Sequence, residues 1–455
     1  MTRAFLASLS LLVTSGCVLF VSPERACKAD SECAPGGSCD LVHGVCVRGS
    51  ATSTASGSSG AGSTGSVGST GSVGSTGSVG STSSGSSSAS SGSSGSSGTG
   101  GSSGSSTGST GTVLTHLASF ADAGFVAGGD PLAIASGHFY GTPHLDVAVA
   151  GGSLAVSQGF GDGGFGPPSM SMFASNFVAI ASGDLNRDGR DDLALISPSY
   201  GLSILLALAD GGFTDGGQFN LDDGGAFEGV VLADVDNDGL LDVAVTEVLN
   251  GMVLVFHGSP SGLTNPTVAG MVPRALGLAS GDFDGTLPFD LAAVGDLKTD
   301  AGSPVLVMKN SGASFTSLGA GLDATSIAAG RLVTAGLGDG VVVANTEGGS
   351  LTIFSTLGAA PITIPQRRPR QVLIADIDHD GFADVLAVDE YDSAVEIYFG
   401  DGQGGFITPP TMVPVADGNA PVAVAVADFN EDGRLDLAVV NSASGTCSVL
   451  LSRPR

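Results

Sequence analysis

One nine-residue pattern, D-x-[DN]-x-D-G-x-x-D, recurs four times along the chain, as DLNRDGRDD from Asp184, DVDNDGLLD from Asp234, DIDHDGFAD from Asp376 and DFNEDGRLD from Asp428. Short apolar runs frame each copy, with VAIAS, VVLAD, VLIAD or VAVAVAD before it and LALIS, DVAVT, VLAVD or LAVVN after it. Runs of about five residues, rich in Val, Ile and Leu and bounded by Gly, Asp or Asn, read as strands. The same frame reveals three decayed copies, which run from His138 to Asp146, from Asp282 to Asp290 and from Arg331 to Asp339. All seven keep an eight-residue step from loop start to closing aspartate. The starts fall at 138, 184, 234, 282, 331, 376 and 428, so the period runs from 45 to 52 residues. That is the length of a propeller blade, whereas a helical solenoid would need a 3.6-residue apolar period.

The expected fold is therefore all-β, a seven-bladed β-propeller of four-stranded blades spanning 113–455. Most copies also carry a downstream Gly-rich turn ending in Phe: GDGGF at Phe165, ADGGF at Phe213, NSGASF at Phe315 and GDGQGGF at Phe406. The last copy stops at SVLLSRPR, one strand short, and VLTHLASFADAGF ahead of the first copy has the character of the missing strand. Pairing the two would close the ring and remove its exposed edges.

The acidic loops point to calcium, which takes six to eight hard oxygens and is well served by a tight turn presenting alternate side chains. The ligand sets are Asp184, Asn186, Asp188, Asp192 and the carbonyl of Arg190; Asp234, Asp236, Asp238, Asp242 and the carbonyl of Leu240; Asp376, Asp378, Asp380, Asp384 and the carbonyl of Phe382; and Asp428, Asn430, Asp432, Asp436 and the carbonyl of Arg434. Gly189 and its counterparts permit the bend. The competing reading is a solvated acidic turn without an ion. Against it, carboxylates converging without a cation would repel one another, and four separate copies keep the spacing.

A helical EF-hand is excluded. It needs Glu at position twelve, where this chain has Leu195, Val245, Ala387 or Val439, and it needs helical flanks. The sixteen side-chain ligands include fourteen aspartates, half the formal net charge of -28, so four calcium ions would absorb much of the acidity. What remains excludes nucleic acid as a partner. Such ions would be structural, each stapling one hairpin.

The decayed copies carry narrower expectations. Arg331 stands at the first ligand position of the fifth, where its guanidinium would bridge to Asp339 in place of a metal. His138 and Asp146 would do likewise in the first. A transition-metal reading of His138, His144 and Asp146 competes with two solvated loop histidines. The fourth keeps Asp282, Asp284 and Asp290 but has Thr286 for the central Asp, which leaves its occupancy open.

These loops and strands resemble the FG-GAP and VCBS repeats, the family that includes the integrin α-subunit propeller. The resemblance spans 113–455. It only approximates the Phe-Gly and Gly-Ala-Pro signature, through FGPP at Phe165 and GAAP at Gly358, and so implies a divergent, bacterial-type member. It implies calcium in the intact loops and protein or carbohydrate ligands on the face away from them.

The N-terminal part has a different character. Residues 1–16 read as an export signal, with Arg3, the apolar core AFLASLSLLV and the small residues of TSGC. Cys17 after those small residues resembles a bacterial lipobox, with Thr14 where Leu is usual. It would become the lipid anchor of a segment 17–26, with ordinary signal cleavage as the alternative. Cys27, Cys33, Cys39 and Cys46 lie within twenty residues, and in an exported chain 27–48 reads as a two-disulfide module with its pairing open. A four-thiolate zinc site would need close C-x2-C pairs. Residues 49–112 are nearly all Gly, Ser and Thr and cannot bury enough apolar surface to order, which makes them a tether. Cys447 is left over, as a buried inert thiol.

The whole reads as an envelope-anchored binding, adhesion or scaffold module, at the outer membrane or cell surface. It would touch the membrane through its lipid alone and take an extracellular protein or glycan as partner. A calcium-dependent carbohydrate binder or a polysaccharide-active enzyme is the alternative. No Trp and only four Tyr argue against a sugar-stacking lectin. Six scattered His and no nucleophile elbow outside low-complexity sequence argue against catalysis. Arg367, Arg368 and Arg370 in QRRPR form the one cationic patch, with a solvated linker as the plainer reading.

Overall fold

The computed structural model describes residues 37–40, 45–48, 113–119, 130–170, 176–220, 226–286, 289–296, 303–309, 316–321, 323–335, 338–415 and 420–453. Seven four-stranded antiparallel sheets carry the C-terminal part of the chain. Each begins with an innermost strand: Ala133–Gly137, Ala179–Gly183, Phe227–Ala233, Ala275–Gly281, Ala324–Gly330, Pro369–Ala375 and Pro421–Ala427 for blades one to seven. Every innermost strand packs against its neighbours in the ring, and that of blade seven packs against that of blade one. The result is the expected seven-bladed propeller.

Closure follows the expectation drawn from the chain ends. Val113–Ser119 pairs antiparallel with Thr446–Arg453, so blade seven takes its outermost strand from the N-terminal side of the repeats. The first and last segments of the ring are thereby hydrogen-bonded within one sheet, which leaves no blade with an open edge at the seam.

Burial explains why the strands lack polar alternation. The second strands, such as Asp192–Ser197, Asp242–Glu247 and Asp384–Asp389, are buried at every residue, because a neighbouring blade covers each face. Seven apolar clusters fill the gaps between adjacent blades. One, with Val149, Ala438, Val440, Cys447 and Val449, joins blade seven to blade one. Cys447 is a free, fully buried thiol in that cluster, as expected, and burial pushes its pKa far up. The outermost strands, such as Ile362–Pro365, are largely exposed.

The meander assigns chain turns to faces. Loops joining innermost to second strands, which include all seven acidic copies, share one face with the third-to-fourth connections. The second-to-third hairpins lie on the other. Between the faces runs a central cavity of about 400 Å³ lined by innermost strands of all seven blades. Its wall is mostly aliphatic, yet Glu228 and Arg370 line it from equivalent strand positions, two residues before Val230 and Val372, in blades three and six. The QRRPR patch is thus no solvated linker throughout. Arg370 is buried with Nε donating to Glu390 at 2.6 Å, Arg368 pairs with the same carboxylate at 3.3 Å, and Arg367 lies over the Tyr391 ring.

In a second unit, Gly37–Asp40 and Val45–Arg48 form a two-stranded ribbon with Cys39 and Cys46 as backbone partners. No disulfide is found among the described residues, so the disulfide-rich module expected over 27–48 gains no support; Cys27 and Cys33, and every thiol of the four, lie outside the description. The export signal, Cys17 and the tether also lie outside it.

Candidate metal centres

The four intact loops share one backbone. The fourth residue of each is left-handed although none is glycine: Arg187, Asn237, His379 and Glu431 have φ of 60°, 60°, 56° and 57°. The sixth is the glycine, with φ of 84°, 84°, 87° and 82° at Gly189, Gly239, Gly381 and Gly433. A side chain at φ near +60° is strained, and the first aspartate supplies the compensation. Asp184 accepts from the amides of Asp188 and Gly189 at 3.0 and 2.9 Å, and Asp234, Asp376 and Asp428 do the same in their loops. The fifth residue accepts in turn from the seventh, as Asp188 does from Arg190 and Asp380 from Phe382.

The closing aspartate has a different task. In blade two, Asp192 is fully buried, and its two oxygens accept from Leu185 at 3.0 Å and from Ala207 at 2.9 Å. Asp242, Asp384 and Asp436 accept in the same way from the second loop residue and from an amide just beyond the third strand or near its end. So does Asp146 in the decayed first copy, from Phe139, Tyr140 and Gly159. This carboxylate ties three strand ends together whether or not the rest of the loop is acidic. That explains why the first copy keeps its closing aspartate although its other ligands have gone.

Oxygen ligands converge in three of the loops. Carboxylates of Asp234, Asp236 and Asp238, of Asp376, Asp378 and Asp384, and of Asp282, Asp284 and Asp290 lie within 4.8 Å of one another. The last set shows that the fourth copy keeps its cluster despite Thr286, whose hydroxyl donates to Asp284. Asp236 and Asp242 also meet His257, from the end of the third strand; its Nδ1 lies 3.2 Å from Asp236 Oδ2. No motif in the sequence flagged His257. Loops two and seven place Asn186 and Asn430 at the third position, and each asparagine oxygen accepts from the fifth-residue amide at 2.9 Å. The closing carboxylates are costly to ionise where they sit. Burial pushes Asp384 up to about 7 despite two backbone hydrogen bonds, and the neighbouring Asp378 and Asp380 push it further the same way. Asp192 and Asp436 rise to about 6, again chiefly through burial. Apart from His257 in blade three, the donor set is all-oxygen and acidic, which fits a hard divalent cation of the calcium type.

The other decayed copies differ from expectation. In the fifth, the strand register sets Gly340 opposite Gly330, the place that the closing aspartate holds in the other six blades. Its loop is one residue longer, and Asp339 is displaced from the closing position. Asp339 Oδ2 instead accepts from the Asp282 amide in blade four at 2.9 Å; burial pushes its pKa up, with the Asp282 amide and Arg331 pulling the other way. In the first, His138 pairs with Asp191 of blade two rather than bridging to Asp146, and His144 pairs with Glu431 of blade seven. The two histidines and Asp146 form no metal-capable group among the described residues.

Against known proteins, the chain matches the FG-GAP-like repeat family over residues 184–245 and 376–439, each stretch running from one intact loop through the next and into the strand behind it. No curated protein matches it. Among solved structures, BBS1N in its complex with ARL6DN aligns at 14% identity and a TM-score of 0.54, over 75% of this chain and 97% of that one. The BP39L lectin from Burkholderia pseudomallei aligns at 18% identity and a TM-score of 0.52, over 72% and 99%. Identities this low establish the shared fold alone.

Proposed function

For a seven-bladed β-propeller that carries FG-GAP-like repeats, and hence a fold suited to binding or scaffolding, we propose a division of labour between its two faces. The acidic face is structural: calcium is held by Asp184, Asn186, Asp188 and Asp192 and by the matching residues of blades three, six and seven, with the carbonyls of Arg190, Leu240, Phe382 and Arg434. Bound calcium supplies positive charge and rigid coordination there; the protein's own residues set the turn and tie the hairpin. The opposite face is the docking face for an extracellular protein or glycan. The chain is exported and held at the envelope by a lipid on Cys17, with residues 49–112 as tether.

One observation carries the reading. The four intact loops repeat the same unusual backbone and aim their oxygens at one face, while exposed Tyr200, Leu249 and Tyr391 project from second-to-third hairpins on the other. Large exposed side chains are candidate contacts, and although Phe160, Leu208 and Ile407 are exposed on the acidic face too, only the hairpin face is free of the acidic loops. The similar folds include one in complex with a protein and one named as a lectin, which makes protein and glycan the two ligand classes to compare.

The test pairs calcium with binding. Melting temperature should rise between chelator and millimolar calcium; a curve that does not move overturns the metal assignment. Binding to a glycan array and to envelope extract is then compared for the wild type and for Tyr200→Ser, Leu249→Ser and Tyr391→Ser. Loss of a saturable signal in the variants supports the docking face, and equal binding by all refutes it. Cys17→Ser should move the protein from the membrane to the soluble fraction.

A further inference from the structure

The second-to-third hairpin of blade six carries a second kind of acidic cluster, on the face away from the acidic loops. Asp389 ends the second strand, Asp392 lies in the turn and Glu396 sits in the third strand, with carboxylate oxygens within 4.8 Å of one another. Asp389 is fully buried and Glu396 is 7% exposed. Asp389 Oδ1 accepts from the Asp392 amide at 2.8 Å, but its buried Oδ2 has no hydrogen-bond partner. Gln366 reaches the cluster from the linker before the blade. Its Nε2 donates to Glu396 Oε2 at 3.1 Å, and its Oε1, on a residue 8% exposed, is buried without a partner.

Sibling blades show what this position holds when it lacks carboxylates. The counterparts of Asp389 and Glu396 are Asn345 and Thr352 in blade five, and Asn441 and Ser448 in blade seven. There the asparagine Nδ2 donates to the hydroxyl, at 2.9 and 3.0 Å. A neutral donor fills the gap between the two side chains, although each asparagine Oδ1 is itself buried without a partner. Blade six replaces both partners with carboxylates and supplies no donor between them. Tyr398 donates to Glu396 from one side, and the exposed Arg367 comes only within 3.5 Å of Asp392. Buried carboxylates with unmet acceptors are costly unless a cation or proton joins them.

We propose that Asp389, Asp392 and Glu396, with the amide oxygen of Gln366, form a further site for a hard divalent cation, calcium or magnesium. The ligands are oxygens only, which disfavours zinc or copper. Asp392 lies at the surface, so water can enter and complete the coordination shell. The site stands apart from the family loops and does not depend on their occupancy.

The double variant Asp389→Asn/Glu396→Thr installs the neutral pair of blade five and leaves every acidic loop intact. Equilibrium dialysis against calcium, and separately against magnesium, should show one ion fewer per chain than the wild type for one of the two metals. An unchanged count with both metals overturns the site in favour of a shared proton. Should that variant fail to fold, Asp392→Asn, in the exposed turn, should weaken one site at least tenfold, and identical isotherms would refute the proposal. Terbium adds a local readout, since the chain has no Trp and Tyr398 donates to Glu396. Tyrosine-excited emission at this site should fall in the variant. Failure of the acidic loops to bind would remove other ions and leave this difference in place.

Discussion

Asp191 and His138 belong to neighbouring blades and are joined twice. The Asp191 amide donates to the His138 carbonyl at 3.3 Å, and its Oδ2 accepts from the His138 amide at 2.8 Å. Asp339 and Asp282 repeat the arrangement between blades four and five, at 2.6 and 2.9 Å. In each case the residue just before the closing position clamps the loop start of the preceding blade. Asp339→Ala should therefore cost roughly 1 to 3 kcal/mol by leaving the Asp282 amide unmet. The loss should be the same in chelator and in calcium when measured by denaturant melts. A loss confined to calcium would mean that Asp339 acts through a metal.

The two classes of loop aspartate should part company under mutation. Asp238→Asn keeps the acceptor used by the Leu240 amide and removes only charge, so stability in chelator should move by no more than about 0.5 kcal/mol. Its calcium-dependent gain should shrink. Asp242→Ala strips the partners of the Val235 and Gly258 amides and should cost roughly 2 to 4 kcal/mol even in chelator. Equal behaviour of the two variants would refute the distinction.

This distinction was only half legible in the sequence. The spacing from Asp184 to Asp192 and the glycine between them disclosed the loop, the strand pair and the ring, because strand length and turn chemistry are local properties. Why the last aspartate persists when the first is His138 was not legible, since its amide partners lie 13 to 16 residues away, at Gly159, Ala207, Gly258, Gly400 and Ser452. For the same reason Asp339 read as a closing residue; only the pairing of Gly330 with Gly340 reveals the extra loop residue. The left-handed fourth position was hidden too, because Arg187, Asn237, His379 and Glu431 share no residue type. That Glu228 and Arg370 line one channel shows only once the ring is assembled.

Closure through Val113–Ser119 makes a simple prediction. Deleting residues 113–119 should expose the whole edge of Thr446–Arg453 in blade seven. An unpaired apolar edge invites association between molecules. The truncated chain should melt at a lower temperature and form higher oligomers at rising concentration, as read by light scattering. A monomeric, equally stable product would show that the seam does not hold the ring.

Glu228 supplies a pH dependence with a definite sign. It is fully buried, both carboxylate oxygens lack a hydrogen-bond partner, and burial alone pushes its pKa from 4.5 up to about 8. Between those values the folded state holds a proton that the unfolded chain has released, so the folded form loses relative stability as pH rises from about 4.5 to about 8, and no further above that. The full span corresponds to roughly 4 kcal/mol. Glu228→Gln keeps the shape and cannot ionise. The variant should match the wild type near pH 4.5 and exceed it progressively towards pH 8, where the gap should level off. The measurement is the difference in unfolding free energy between the two proteins across that range, which cancels the titration of groups they share. A difference independent of pH would mean that the carboxyl is solvated in the channel and titrates normally. A gap that widens towards acid would mean that Glu228 is held as an anion.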